Sequence, residues 1–454
     1  MNIVNNILIN IGSTEANELV IPEGVTAIGR DAFRDCSFLE KVILSEGLLN
    51  IGDYAFSYCR SLKEIVIPKS LKRIGQGAFR GCEGLEIIAL PDTVEAIGKD
   101  AFSFCKKLKK VTLPKGLATV SQGLFEGCRG LLEVTLPDTI TAIDAGAFKD
   151  CVSLPQINLP DGITQIGDYS FTNCRALPHI HLPNALAAIG SYAFQNCKSI
   201  EKFDLPPGLK KIGCWTFAYC KSLKEFSVPY GITHIHNHTF LYCEQLEKVI
   251  IPETVTTIGN SAFAYCLKLT AVSIPDQVTY LGEGSFSNCK ELKALVIPDS
   301  VEEIGDYAFS ECKSLTAIII PSHVSFIGEG LFRGCDNLSA ITLPERALRI
   351  GNWAFFGCTR LTACKLPDSV AEIGDHAFQD CRSLHFLSIP GSVHRIGKYA
   401  LADCINITYV NMSEGIMQID DYAFQNCIRL SRANVPSTAT KVGKYVFHGC
   451  QELS

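Results

Sequence analysis

His234, His236 and His238 alternate along one short stretch. In extended backbone all three imidazoles project to one side, and three imidazoles are a sufficient set for zinc. A second group joins amides, imidazoles and opposite charges: Gln156, Asn158, His179, His181, Lys202 and Asp204. Such a group can bind a small polar or charged ligand, although Lys202 disfavours a cation. The alternative is an ordinary solvated face. The 21 cysteines suggest a redox or metal array. No Cys-x-x-Cys pair occurs, so the zinc-ribbon spacing is absent. No Gly-x-x-x-x-Gly-Lys-Ser/Thr, Gly-x-Ser-x-Gly or His-Glu-x-x-His occurs either. Those absences point away from an enzyme, and no cofactor is expected.

The elements that must carry these residues follow from the cysteines. Nineteen of them recur every 23 residues from Cys36 to Cys450 without insertion, leaving only Cys214 and Cys364 outside the series. Three residues before each stands Phe, except at Leu401. Residues 59 to 82 show the unit: Cys59, Leu62, Ile65, Ile67, Pro68, Leu71, Ile74, Gly75, Ala78, Phe79, Cys82. A unit this short cannot bury its own apolar face, but stacked copies can. The alternation around Ile65 and Ile67 predicts a short strand, and stacked strands in register make a parallel sheet. Pro68 cannot donate to a sheet ladder and should end the strand. Gly75 reads as a turn residue with φ > 0. Ala78-Phe79-x-x-Cys82 reads as one helical turn with Phe and Cys inward. The thiols are then buried, reduced packing groups rather than ligands.

This pattern resembles the BspA-like class of leucine-rich repeats over about residues 19–453. The resemblance implies an α/β fold: a right-handed leucine-rich-repeat solenoid with a concave parallel β-sheet. Short helical turns or irregular segments would lie on its convex side. It also implies a binding or adhesion role of the kind associated with surface and secreted relatives. Residues 1–15 fit the register poorly and are expected to form an N-terminal cap, with the solenoid over 16–454. The start of the chain lacks the charged region and unbroken apolar run of a secretory signal, and no membrane span is evident.

With packing fixing the framework, specificity lies in the side chains five and seven residues after each Cys, which alternate outward onto the concave face. There the charged column of the early repeats gives way to Ala271, Ala294, Ala317, Ala340 and Ala363, followed by Phe386 and Tyr409. This apolar strip with an aromatic rim suits a protein contact. The alternative for the alanines is that small residues suit a crowded sheet. A basic series just after the Cys, including Arg60, Lys106, Lys313 and Arg382, forms an edge stripe. Lys and Arg number 41 against 47 Asp and Glu, a net charge of −6, which excludes a strongly basic nucleic-acid binder. The expected activity is non-enzymatic binding of a protein or glycan. A self-associating spacer and a metal-binding array at the histidines are the alternatives.

Overall fold

The computed structural model describes residues 1–12 and 16–453. The chain divides into two compact units, Met1–Leu223 and Lys224–Ser454. Both are built from the same 23-residue coil, with parallel strands of adjacent repeats paired in register. In the first unit Lys41–Ile43 pairs with Glu64–Val66, Val42 opposite Ile65. In the second, Ala271–Ser273 pairs with Ala294–Val296. Each such strand buries its middle residue and exposes the two beside it, so the alternation expected from the sequence is present.

A second parallel ladder, absent from the sequence reading, runs through the residues just before the turn glycine. Its strands are two residues long: Asn50–Ile51 pairs with Arg73–Ile74, and Tyr280–Leu281 with Glu303–Ile304. The isoleucine is buried and its neighbour faces outward. Asn2–Val4 and Ile7–Asn10 form an antiparallel hairpin through Asn5 and Asn6, both at positive φ. Ile7–Asn10 then joins the short-strand ladder beside Ala27–Ile28. The expected boundary of the cap at residue 15 falls on residues 13–15, outside the described residues.

The expected helical turn does not form: no helix occurs among the described residues. Over residues 54–59 the N–H groups alternate in direction. Those of Tyr54, Phe56 and Tyr58 donate to Gln76, Ala78 and Arg80 of the next repeat at 2.6–2.7 Å. Those of Ala55, Ser57 and Cys59 donate three residues back within their own repeat. Tyr54 and Tyr58 are left-handed, with φ of 55° and 61°, which no α-helix tolerates. The same two positions are left-handed in every repeat. Asn, Asp and Gly adopt that conformation readily. The tyrosines there are held by the stacking: the Tyr54 ring lies where a Cβ on Gly77 would fall, 2.6 Å from it.

The turn glycine also differs from expectation. Gly75 lies outside the left-handed region, and its role is close approach. A Cβ there would come within 2.5 Å of the Asp53 nitrogen and 2.6 Å of the Gly52 carbonyl carbon. Where Ser121 replaces it, the hydroxyl donates to the Ile97 carbonyl at 2.7 Å.

The interior is a stack of rings and thiols. Phe33 and Phe56 have centroids 4.6 Å apart, and the series continues to Phe217 in the first unit. In the second it runs from Phe240 to Phe378, skips Leu401, and resumes at Phe424 and Phe447. All cysteines are free and most are buried. Most ladder thiols lie against a phenylalanine carbonyl of the preceding repeat, as Cys59 Sγ does to Phe33 at 3.0 Å and Cys312 Sγ to Phe286 at 3.3 Å, while Cys427 meets the Leu401 carbonyl and Cys36 that of Arg34. Burial pushes the Cys105 and Cys312 thiols up to about 12, so they remain protonated and unreactive.

Candidate functional site

The framework leaves the outward residues of the longer strands free to vary, and the two units use that freedom differently. In the first unit the outward lysines are matched by glutamates one repeat along: Lys41 with Glu64 at 3.0 Å and Lys110 with Glu133 at 2.7 Å. In the second unit the alanine column leaves the aliphatic residues two places on standing clear. Val296 is 80% exposed and Ile319 69%. With Ala294, Ala317, Pro298 and Asp299 they line a shallow depression of about 550 Å³. Val296 and Ile319 stand seven residues after Cys289 and Cys312, so spacing alone puts them in the outward column beside the alanines. The stronger signal was a large β-branched side chain where the framework requires nothing.

Phe386 and Tyr409 are brought together. They lie opposite each other on Phe386–Ile389 and Tyr409–Met412, and their rings stack at 5.6 Å. Phe386 is 47% exposed and borders a depression of about 370 Å³ with Ala363, Lys365 and Ser388. The Tyr409 hydroxyl reaches Asn411 Oδ1 at 3.4 Å. The pair is thus one stacked aromatic surface rather than two separate anchors.

Gln156, Asn158, His179, His181, Lys202 and Asp204 are all exposed on the same face of the first unit. Regular strand pairing is lost here, though His181 keeps a parallel bridge to Asp204. The cause is local. Four residues after the Cys, the backbone N–H normally donates one repeat back, as Lys63 does to Glu40 and Leu132 to Lys109. Pro155 and Pro178 occupy that position in two successive repeats and have no N–H to give. Asp204 pairs with Lys202 at 3.0 Å, so its charge is already neutralised beside the imidazoles.

The histidine triplet does not form a metal centre. His234 and His236 have near-parallel rings 6.0 Å apart. His238 sits in the left-handed turn position at φ 59°, so the extended alternation ends before it. Among the described residues no three His, Cys, Asp or Glu side chains gather as a metal set. Three residues of the basic stripe are matched by acidic neighbours. Lys106 meets Glu83 at 2.9 Å, Lys313 meets Asp336 at 3.4 Å, and Arg382 meets Asp380 at 2.6 Å. No helix of the described residues is long and apolar enough to cross a membrane.

The model of the BspA type leucine-rich repeat region matches residues 11–132, 141–270, 256–351 and 327–454. The chain belongs to this family. The 23-residue coil with its stacked phenylalanines is therefore a BspA-type repeat, and the chain is a parallel-strand solenoid of the leucine-rich-repeat type. Leucine-rich repeats of this kind are generally protein-interaction modules and generally non-enzymatic. The fold resembles that of a leucine-rich repeat protein from Bacteroides ovatus, at 25% identity over 89% of this chain and 86% of that one, with a TM-score of 0.46. It also resembles a leucine-rich cell surface protein from Faecalibacterium prausnitzii, at 24% identity over 88% of each chain and a TM-score of 0.39. A third similar structure is the pneumococcal vaccine antigen PcpA, at 18% identity over 81% of this chain and 86% of that one, with a TM-score of 0.40. The sequence matches no curated protein.

Proposed function

We propose that the outward strand face of the second unit, from Ala271 to Tyr409, docks a protein partner that presents aliphatic and aromatic side chains. The observation that carries this reading is the exposure of Val296 and Ile319 on neighbouring edge strands above a core that is already complete. A contiguous apolar strip on a folded surface is a contact surface more often than a neutral one, and stacked Phe386 and Tyr409 supply the aromatic anchor such contacts favour. Proteins captured by the intact chain should be compared with those captured by V296S/I319S and by F386A/Y409A. The reading requires a protein retained by the intact chain and lost from both variants. Identical captured sets would refute it. A second copy of this chain is the other occupant of the same strip. Concentration-dependent sedimentation that V296S/I319S abolishes would assign the strip to self-association.

The group from Gln156 to Asp204 is a subsidiary part of the proposal, as a contact for a hydroxyl-rich glycan. Its amides and imidazoles can donate and accept, and the ladder beneath them is relaxed by Pro155 and Pro178. Glycan-array binding that survives H179A/H181A would remove it.

A further inference from the structure

The outward residues of the short-strand ladder form a second surface, separate from the proposed docking strip. In its later repeats, at Arg349, Glu372 and Arg395, cations and carboxylates alternate from repeat to repeat. Arg349 meets Glu372 at 3.1 Å, and just outside the ladder Lys72 meets Glu95 at 2.9 Å. Arg395 joins Glu372, Asp375 and Asp420 at 2.6–2.8 Å. Between Tyr280 and Phe326 the carboxylates have no such match. Glu303 lies between them in the ladder, opposite Tyr280, and Glu302 precedes it. With Glu283 and Asp306 they line a cleft of about 770 Å³ that has no Lys or Arg in its wall. None of the four carboxylates forms an ion pair among the described residues. The nearest cation in the ladder, Arg349 opposite Phe326, is engaged with Glu372.

Two further features make this more than a patch of acid. Phe326 is 57% exposed at a sheet position where most repeats carry small or polar residues. Tyr280 stands two strands away, about 10 Å from it by strand spacing, with a carboxylate between. Rings flanking a carboxylate are the set that recognises a guanidinium, whose faces stack and whose edge donates in a fork. Burial, together with Glu303 and Glu283, pushes the Tyr280 phenol up, as a concentrated negative field would. A divalent cation is less well served, since no three ligands converge.

We propose that the cleft between Tyr280 and Phe326 docks an arginine-bearing basic segment of a protein partner. Arginine side chains enter between the two rings and meet Glu302 and Glu303, while Glu283 and Asp306 hold the flanking positive charge. Binding weakens as salt rises, because the carboxylates are exposed.

The test uses the full chain and a short fluorescein-labelled peptide of alternating arginine and glycine, read by anisotropy. E302Q/E303Q should weaken binding about tenfold or more, and F326A about threefold. E40Q/E64Q makes the same change in net charge on the other unit and should leave binding unchanged. Melting profiles confirm that each variant is folded. Equal weakening by E40Q/E64Q, or equal affinity for a labelled control peptide of alternating glutamate and glycine, overturns the proposal. Unchanged affinity in F326A overturns the choice of arginine. Calcium binding heat that E302Q/E303Q abolishes would reassign the cleft to a metal ion and also overturn it.

Discussion

The strand faces of the two units are set on one framework and diverge only where the framework is silent. In the first, Lys41, Glu64, Lys110 and Glu133 satisfy one another between neighbouring repeats. In the second, Val296 and Ile319 stand exposed side by side with nothing covering them among the described residues. Exposed ion pairs contribute at most about 1 kcal/mol and little specificity, whereas exposed aliphatic area gains from being covered. The first unit exposes outward aliphatics as well, Val20 and Ile87, but only the second sets two of them side by side above an alanine column. Repeats allow this division because the interior does not depend on what the outward side chains are.

That independence makes testable demands. The largest concerns the thiols common to both units. Burial holds Cys105, Cys220, Cys312 and Cys404 at about 12 against an ordinary value of 9.0. A group whose folded value is raised stabilises fully below its unfolded value and loses that contribution as pH climbs toward the folded one. Each such thiol should therefore remove about 1.4 kcal/mol per pH unit between roughly pH 9 and pH 12. Denaturant midpoints at rising pH should fall steeply for both units. A flat profile would mean that the thiols are not enclosed.

Next, Phe102→Ala and Phe309→Ala should each destabilise by about 3–5 kcal/mol. Similar losses would confirm that the framework does not distinguish the units. A large difference would break the comparison. Gly98→Ala and Gly305→Ala should each destabilise by about 1–3 kcal/mol, because a Cβ would lie within 2.5 Å of backbone nitrogen in both. Hydrogen exchange at the adjoining repeats would show how far the strain spreads. The smallest effects are at the faces. E133Q should change stability by less than about 1 kcal/mol, and high salt should erase the change. V296S should be neutral within about 0.5 kcal/mol in the free chain, with its consequence confined to capture of a partner.

Much of the fold was legible in residue spacing. The recurrence of Cys and Phe set the period, and the alternation around Ile65 set the strand and its inward side. The turn was misread because Phe and Cys three residues apart also suit a helix, whereas Tyr54 and Tyr58 are left-handed only through contacts with the next repeat. Gly75 was correctly singled out for the wrong reason, since close approach and positive φ leave the same residue in a sequence. The second ladder escaped because its strands are only two residues long and abut the turn. The surface between Tyr280 and Phe326 was hidden with it. Pro155 and Pro178 were in plain view, but their effect required knowing which N–H reaches the preceding repeat. At the candidate docking face, residue positions were readable and exposures were not, because exposure depends on the size of the neighbouring alanines.

The separation between bonding partners has a consequence for heredity. The turn nitrogens of one repeat reach the next at a spacing of about one period, and the ladder thiols from Cys59 onward reach one repeat back, at an offset of 26 residues in Cys59 and Cys312 alike. Removing or duplicating any 23-residue segment within a unit therefore leaves every junction with a chemically equivalent neighbour. Gene-level recombination between repeats can lengthen or shorten the scaffold in whole steps while shuffling the outward residues, so the molecule can acquire new surfaces without having to relearn how to fold.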